Sequence, residues 1–235
     1  LSPGIYTRET DFSFYVKQIS TSSAAMVGVA EKGPINKPVL VTSWEQFINR
    51  FGSYINESYL AYAARAFFDN GGSVLYVTRI AHLTDPTDRD TLTALKSSIV
   101  LQNREATPAD ALRIEAVNEG VWGDRLSVSI EDGSLDPANH FNLVVRHKGD
   151  VVEVFKDLSM DETLPNHVEL AINDRSDFIL VQDLAAVSGT PGDRPALGVF
   201  TLTGGDNGLT DLADADFIGD PSQHTGLYGF DEIDA

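Results

Sequence analysis

The hydrophobic period of this chain changes partway along its length, and that change restricts what the chain can fold into. Up to about residue 80 apolar side chains recur at helical spacing. Trp44, Phe47, Ile48 and Phe51 form one set, and Leu60, Ala63, Ala64, Phe67 and Phe68 form another. From about residue 111 the period drops to two. Leu112, Ile114 and Ala116 alternate with polar neighbours, as do Leu126, Val128 and Ile130. A 3.6-residue period puts side chains on one face of a helix, and a two-residue period puts them on one face of a strand. Blocks of both kinds in one chain call for an α/β layer joined to a β-rich unit.

The first block has clear punctuation. Ala25 to Ala30 is a short apolar run that reads as a buried strand. Lys32 to Pro38 is a loop, and Val39-Leu40-Val41 a second strand. Ser43 stands three residues before Gln46, the spacing of a capping box, so a helix opens there and ends at Gly52. Ser58 caps the next helix, Gly71-Gly72 stops it, and Val74 to Ile80 forms a strand.

The second block begins with a loop at Asp85-Pro86-Thr87-Asp88, after which Leu92, Leu95 and Ile99 predict a short helix. Phe141 to Arg146 and Val151 to Phe155 flank His147-Lys148-Gly149-Asp150, a hairpin signal with Gly149 in the turn. Val168 to Ile172 reads as one helical turn and Phe178 to Val181 as a strand. Ser188 to Pro195 reads as a flexible loop. Phe200 to Thr203 runs into the turn Gly204-Gly205-Asp206-Asn207-Gly208, and Ala213, Phe217 and Ile218 return to near-helical spacing. The expected organisation is an α/β unit in two pieces, 25–84 and 199–235, with a β-rich domain of residues 85–198 inserted between them.

Residues 1–24 stand apart. Ile5-Tyr6-Thr7-Arg8-Glu9 has strand composition, and Phe12, Phe14 and Val16 alternate with Ser13, Tyr15 and Lys17. The segment reads as an extended arm ordered by pairing with something else, or as an edge strand of its own domain. Its start has no basic region followed by an apolar one, so it does not read as a signal peptide.

Charge narrows the function classes. Seventeen basic against 35 acidic residues give a net charge of −18, and no Lys/Arg cluster in the sequence offsets it. Direct binding to nucleic acid or to an anionic membrane is disfavoured. There is no cysteine, which excludes disulfides and thiolate metal sites. His82, His140, His147, His167 and His224 do not pair at metal-binding spacing and read as surface or loop residues. No nucleophile elbow, phosphate loop or dinucleotide fingerprint is present. Asp206, Asp211, Asp214, Asp216 and Asp220 gather oxygens of the kind calcium takes, but their order does not fit an EF-hand. A turn at Asp206-Asn207-Gly208 and a helix cap at Asp211 account for them better. The adjacent pairs Glu131-Asp132 and Asp161-Glu162 do not face one site. No cofactor and no enzymatic activity are expected.

Several segments together resemble the contractile phage tail sheath family. They are Pro3-Gly4-Ile5-Tyr6, the run from Ser20 through Val27-Gly28-Val29-Ala30 to Lys32-Gly33-Pro34, and Thr42 to Phe47 with Phe51-Gly52. Further along come Asn70-Gly71-Gly72, Val77-Thr78-Arg79, Leu202 to Gly208 and Tyr228-Gly229-Phe230-Asp231. The resemblance implies an α/β sheath core domain with an inserted β-rich domain and an extended N-terminal arm. It implies a structural subunit, stacked in six-membered rings around an inner tube, that contracts to drive the tube through a cell envelope. Implied partners are neighbouring sheath subunits, the tail tube protein, and the baseplate and tail terminator proteins. The implied location is the virion tail, with assembly in the host cytoplasm. By position, Ile5, Tyr6, Thr7, Arg8, Glu9, Phe12, Phe14 and Val16 match the arm that adds a strand to a neighbour. The family's C-terminal domain is expected beyond Ala235. Two other readings remain: a β-rich domain that binds a glycan or receptor, and a hydrolase built on the Asp-rich C-terminal segment.

Overall fold

The computed structural model describes residues 22–82, 93–184 and 191–233. The first sheet is built from β1 (Ser23–Gly28), β2 (Val39–Val41) and β3 (Val74–Arg79), with β3 in the centre. β1 runs parallel to β3 with Met26 opposite Val77, and β2 runs antiparallel with Leu40 opposite Tyr76. Parallel neighbours cannot be joined by a tight turn. The chain therefore crosses over through α1 (Trp44–Phe51) and α2 (Leu60–Asp69). Phe47, Phe51, Leu60, Ala61, Ala64, Leu75 and Val77 make the core between helices and sheet.

The caps follow the sequence closely. Ser43 Oγ accepts from the Gln46 amide at 3.2 Å, and the Gln46 side chain accepts from the Thr42 amide at 2.9 Å. At α2 the cap position falls on Tyr59, which makes no side-chain cap bond, where Ser58 was expected; Ser58 Oγ accepts from the Leu60 amide at 3.1 Å one residue ahead of it. The stripe of α2 differs from expectation by one position: Ala63 is exposed and Ala61 is buried in its place. Seen from Leu60, the buried side falls at +1 and +4 and continues at +7 and +8 with Phe67 and Phe68. Trp44 is half-buried, stacked on Phe47 at 5.4 Å with the Arg65 guanidinium 5.4 Å above its ring.

The second body is antiparallel. It contains β4 (Ala94–Leu95), β5 (Ser98–Gln102), β6 (Asp110–Ala116), β7 (Leu126–Asp132), β8 (Phe141–His147) and β9 (Asp150–Leu158). α3 (Val168–Ile172), β10 (Ile179–Asp183) and β11 (Gly198–Thr201) complete it. One sheet has the order β10-β6-β5 and the other β11-β7-β8-β9. Their apolar faces meet in one cluster that includes Leu112, Ile114, Trp122, Val128, Phe141, Leu143 and Val181, with Val168 and Ile172 of α3 packed into it. The β8–β9 turn places Lys148 at φ 56° and Gly149 at φ 94°. Two successive left-handed residues give the tight turn that matches strand twist.

The helix expected from Leu92, Leu95 and Ile99 is not formed. Leu95 lies in β4 and Ile99 in β5, where Ile99 faces Ile114 and Leu101 faces Leu112; Leu92 lies outside the described residues. Three apolar residues at helical spacing carry less weight than pairing with an amphipathic neighbour strand.

After β11 the chain returns to the first sheet. β12 (Asp206–Asn207) pairs with β4, followed by α4 (Asp214–Ile218). A 3-10 helix at Gly226–Glu232 then packs on β1 and β3. The Gly226 amide donates to the Asn36 side chain at 3.1 Å.

Candidate functional site

The arm residues Ile5, Tyr6, Thr7, Arg8, Glu9, Phe12, Phe14 and Val16 lie outside the described residues. Within the described residues the most unusual chemistry sits where the first sheet meets the antiparallel body. Arg79, the last residue of β3, is fully buried. Its Nη1 donates to the Gly33 carbonyl at 2.9 Å and to the Glu119 carbonyl at 2.8 Å, so one nitrogen links both bodies. Nε and Nη2 are buried with no hydrogen-bond partner among the described residues. Burial pulls the guanidinium down to about 10, opposed by the nearby Glu119 carboxylate.

Glu31 forms a second link. One of its oxygens takes Arg125 Nη1 at 3.0 Å and the other accepts from the Ser53 amide at 3.0 Å. Gly52 is required beside it. Its φ is 83°, and a Cβ there would lie 2.5 Å from Glu31 Oε2. Gly33 has φ 105°, and its Cβ would fall 2.8 Å from the Phe51 ring.

The returning segment locks into the same place. The Asn207 side chain accepts from the Val121 amide at 3.0 Å. Asp124 accepts from Ser97 Oγ at 2.7 Å and from the Gly205 amide at 3.0 Å. Thus Lys32-Gly33-Pro34, Phe51-Gly52, Val77-Thr78-Arg79 and Gly204 to Gly208, far apart in sequence, converge on one joint. Buried Arg79 and the part-buried Glu31 and Asn207 hold backbone carbonyls and amides there. The arrangement ties the two bodies together through hydrogen bonds.

A cleft of about 880 Å³ opens beside the joint. Pro34, Leu40, Gln46, Asn49 and Arg50 line one wall, and Val117, Asn118, Ser176, Asp177 and Phe178 the other. Lys32 lies between them, its Nζ 5.5 Å from the Trp122 ring centre and 5.4 Å from that of Phe178. Burial lowers its pKa, partly offset by Glu31 and Asp177. Arg50 and Asp177 face each other across the mouth at 4.0 Å, both largely exposed.

The histidines divide. His224 is exposed and His82 meets Asp216 at 3.2 Å. His167 is not on the surface as expected. It is buried beside Asp183 at 3.2 Å, at the entry to α3. Its partner comes from β10, which local sequence does not reveal; the adjacent buried Val168 was the available signal. The C-terminal acids serve local turns. Asp206 accepts from the Gly208 amide, Asp216 from the Ala213 amide and Asp220 from the Ser222 amide. The α4 cap is therefore Asp216 reaching back, where Asp211 was expected. Among the described residues no three His, Asp or Glu side chains are grouped to hold a metal ion.

Residues 21–80 match the family model described as tail sheath protein Gp18 domain III N-terminal region. The tail sheath match spans β1 to β3, with Gly33, Gly52 and Arg79 inside it. The fold is also similar to the sheath tail protein of Listeria innocua. That likeness has 12% identity and a TM-score of 0.50, over 78% of this chain and 34% of that one. The sheath tail protein of Desulfitobacterium hafniense gives 13% identity and a TM-score of 0.49, over 87% and 39% of the two chains. This chain thus spans little more than a third of the length of those sheath proteins. No curated protein matches it.

Proposed function

We propose that this chain is the N-terminal and central part of a contractile tail sheath subunit. In this reading copies stack as six-membered rings around an inner tube, and contraction drives the tube through a cell envelope. The observation that carries the reading is the sheath match over 21–80, whose glycines and Arg79 form the joint. A particle that changes length under force needs subunit bodies that keep their internal geometry, and this joint supplies that. Residues 25–84 and 199–235 are the sheath core and 85–198 the inserted domain. The role is structural, in the virion tail, with assembly in the host cytoplasm. The partners are neighbouring copies, the tube protein, and the baseplate and terminator proteins.

The residues ahead of β1 act as the arm in this reading; Ser23 and Ala24, expected in the arm, instead pair with Val74 and Leu75 in the first sheet. Ile5 to Val16 would add a strand to a neighbouring subunit, with each backbone hydrogen bond contributing about 0.5–1.5 kcal/mol net. Deleting residues 1–19 from the full-length subunit should leave folded monomers and abolish extended tubes in electron micrographs. Tubes of normal length from the deleted protein would overturn the arm assignment.

A further inference from the structure

Charge is unevenly divided in this chain. Between Pro195 and Ala235 there are eight Asp and Glu residues and no Lys or Arg. The cleft beside the joint has the opposite character. Arg50 stands at its mouth and Lys32 in its wall, and the charges of Arg50 and Lys148 both act on Lys32. Arg125 and Lys148 act in turn on neighbouring His147. Three carboxylates stand near these four cations, and Glu153 is committed to Ser176 Oγ and the Asp177 amide. Glu31 is committed to Arg125 and the Ser53 amide, and exposed Asp177 reaches Arg50 only at 4.0 Å. Phe178 and Val117 give one wall of the cleft apolar surface.

The acidic segment carries the matching features. Asp211, Asp214 and Asp220 are exposed, and α4 has no buried residue. Ile218 is 53% exposed on the same short helix. We propose that the cleft docks the segment Asp211–Asp220 of a second copy. Ile218 rests on Phe178 and Val117, and Asp214 and Asp220 face Arg50 and Lys32. Cleft and segment are different patches of one chain, so the contact is heterologous and propagates into a ring or helix instead of closing a dimer. The inference deepens the sheath reading and rests on it, because it names the surfaces by which copies meet.

Sedimentation of the 235-residue chain over a range of concentrations tests this. Association should weaken at least about tenfold between about 0.05 and about 0.5 M salt. Arg50→Glu and Asp214→Arg, both at exposed positions, should each reduce association at least about tenfold. Ile218→Ser should weaken it by roughly tenfold. Mixing Arg50→Glu with Asp214→Arg should restore association, since each then meets an intact or charge-swapped partner. Circular dichroism melts confirm that the variants remain folded. A chain that stays monomeric throughout, association indifferent to salt, or a mixture that stays apart would overturn the docking. If full-length protein builds tubes that Arg50→Glu leaves unchanged, the docking fails while the sheath reading stands.

Discussion

The antiparallel body and the joint bury polar groups on opposite terms. In the body the polar groups that tie α3 to β10 are matched, although Trp122 Nε1, His140 Nδ1 and His147 Nε2 are buried without a partner among the described residues. Asn173 donates to the Val181 carbonyl at 2.9 Å and accepts from the Val181 amide at 2.8 Å, tying α3 to β10. His167 and Asp183 meet with both side chains under a tenth exposed. In the joint, Arg79 spends one nitrogen on two carbonyls and leaves two nitrogens without partners among the described residues. Matched groups add stability. A buried guanidinium facing carbonyls does not recover its desolvation cost, so it is poor evidence of stabilisation. What it supplies is a fixed relation between β3 and the Glu119 backbone. The difference teaches that one region is built to be stable and the other to be correctly oriented.

The largest expected effect lies in the antiparallel core. Phe141→Ala should cost about 3–5 kcal/mol in urea denaturation, from lost burial plus the cavity left behind. A loss below about 1 kcal/mol would mean that this core does not dominate the stability of its body. The sharpest contrast comes next. Asn173→Leu and Arg79→Met each remove two hydrogen bonds to backbone. Asn173→Leu should cost about 2–4 kcal/mol, because buried backbone groups lose their partners. Arg79→Met should cost clearly less, since removing the unpaired charge returns desolvation energy. Equal losses from the two substitutions would break the comparison. Gly52→Ala should cost about 1–3 kcal/mol, from left-handed backbone strain and the approach to Glu31. It should also loosen the Glu31–Arg125 link, seen as a rise in amide exchange at Ser53. Unchanged exchange there would separate the glycine from the joint.

Most of the fold was legible in the sequence because its signals are local. Ser43 and Gln46 announce α1, Gly52 ends it, and Lys148-Gly149 turns the hairpin within a few residues. The failures have a common cause. Leu95 and Ile99 are strand residues only because β12 and β6 lie beside them, and those partners are distant in sequence. Ala61 replaces Ala63 because the direction of the sheet below α2, not the apolar count, fixes the buried face. The joint was half legible. The glycines and Arg79 were readable as family motifs, but their convergence needed the return of Gly204 to Gly208 to the first sheet. The cleft was not legible, because Lys32 and Arg50 face residues from the other body across it. The histidine reading went wrong at His167 for the same reason, since Asp183 approaches from another strand.

The smallest expected effect tests whether the edge of the joint also carries an unrecovered cost. His147 ends β8, with its ring 6.3 Å from Trp122 and 6.0 Å from Phe178, and its Nε2 is buried without a partner among the described residues. Burial holds its pKa below the usual 6.5, helped by Lys148, Lys32 and Arg125 and opposed by Glu31. The unfolded chain therefore binds the proton more readily than the folded one. Stability from this group is complete above 6.5 and is lost as the pH falls from 6.5 through the lower folded-state value. His147→Phe keeps a ring against Trp122 and Phe178 and removes the titration. Melting temperatures of both proteins, followed from about pH 7.5 down to about pH 5, should diverge on the acid side, the wild type falling further. Because Asp and Glu residues elsewhere are common to both proteins, the difference between the curves isolates His147. Parallel curves would show that the ring is solvated enough to titrate freely, and that it adds no unrecovered cost to that of Arg79.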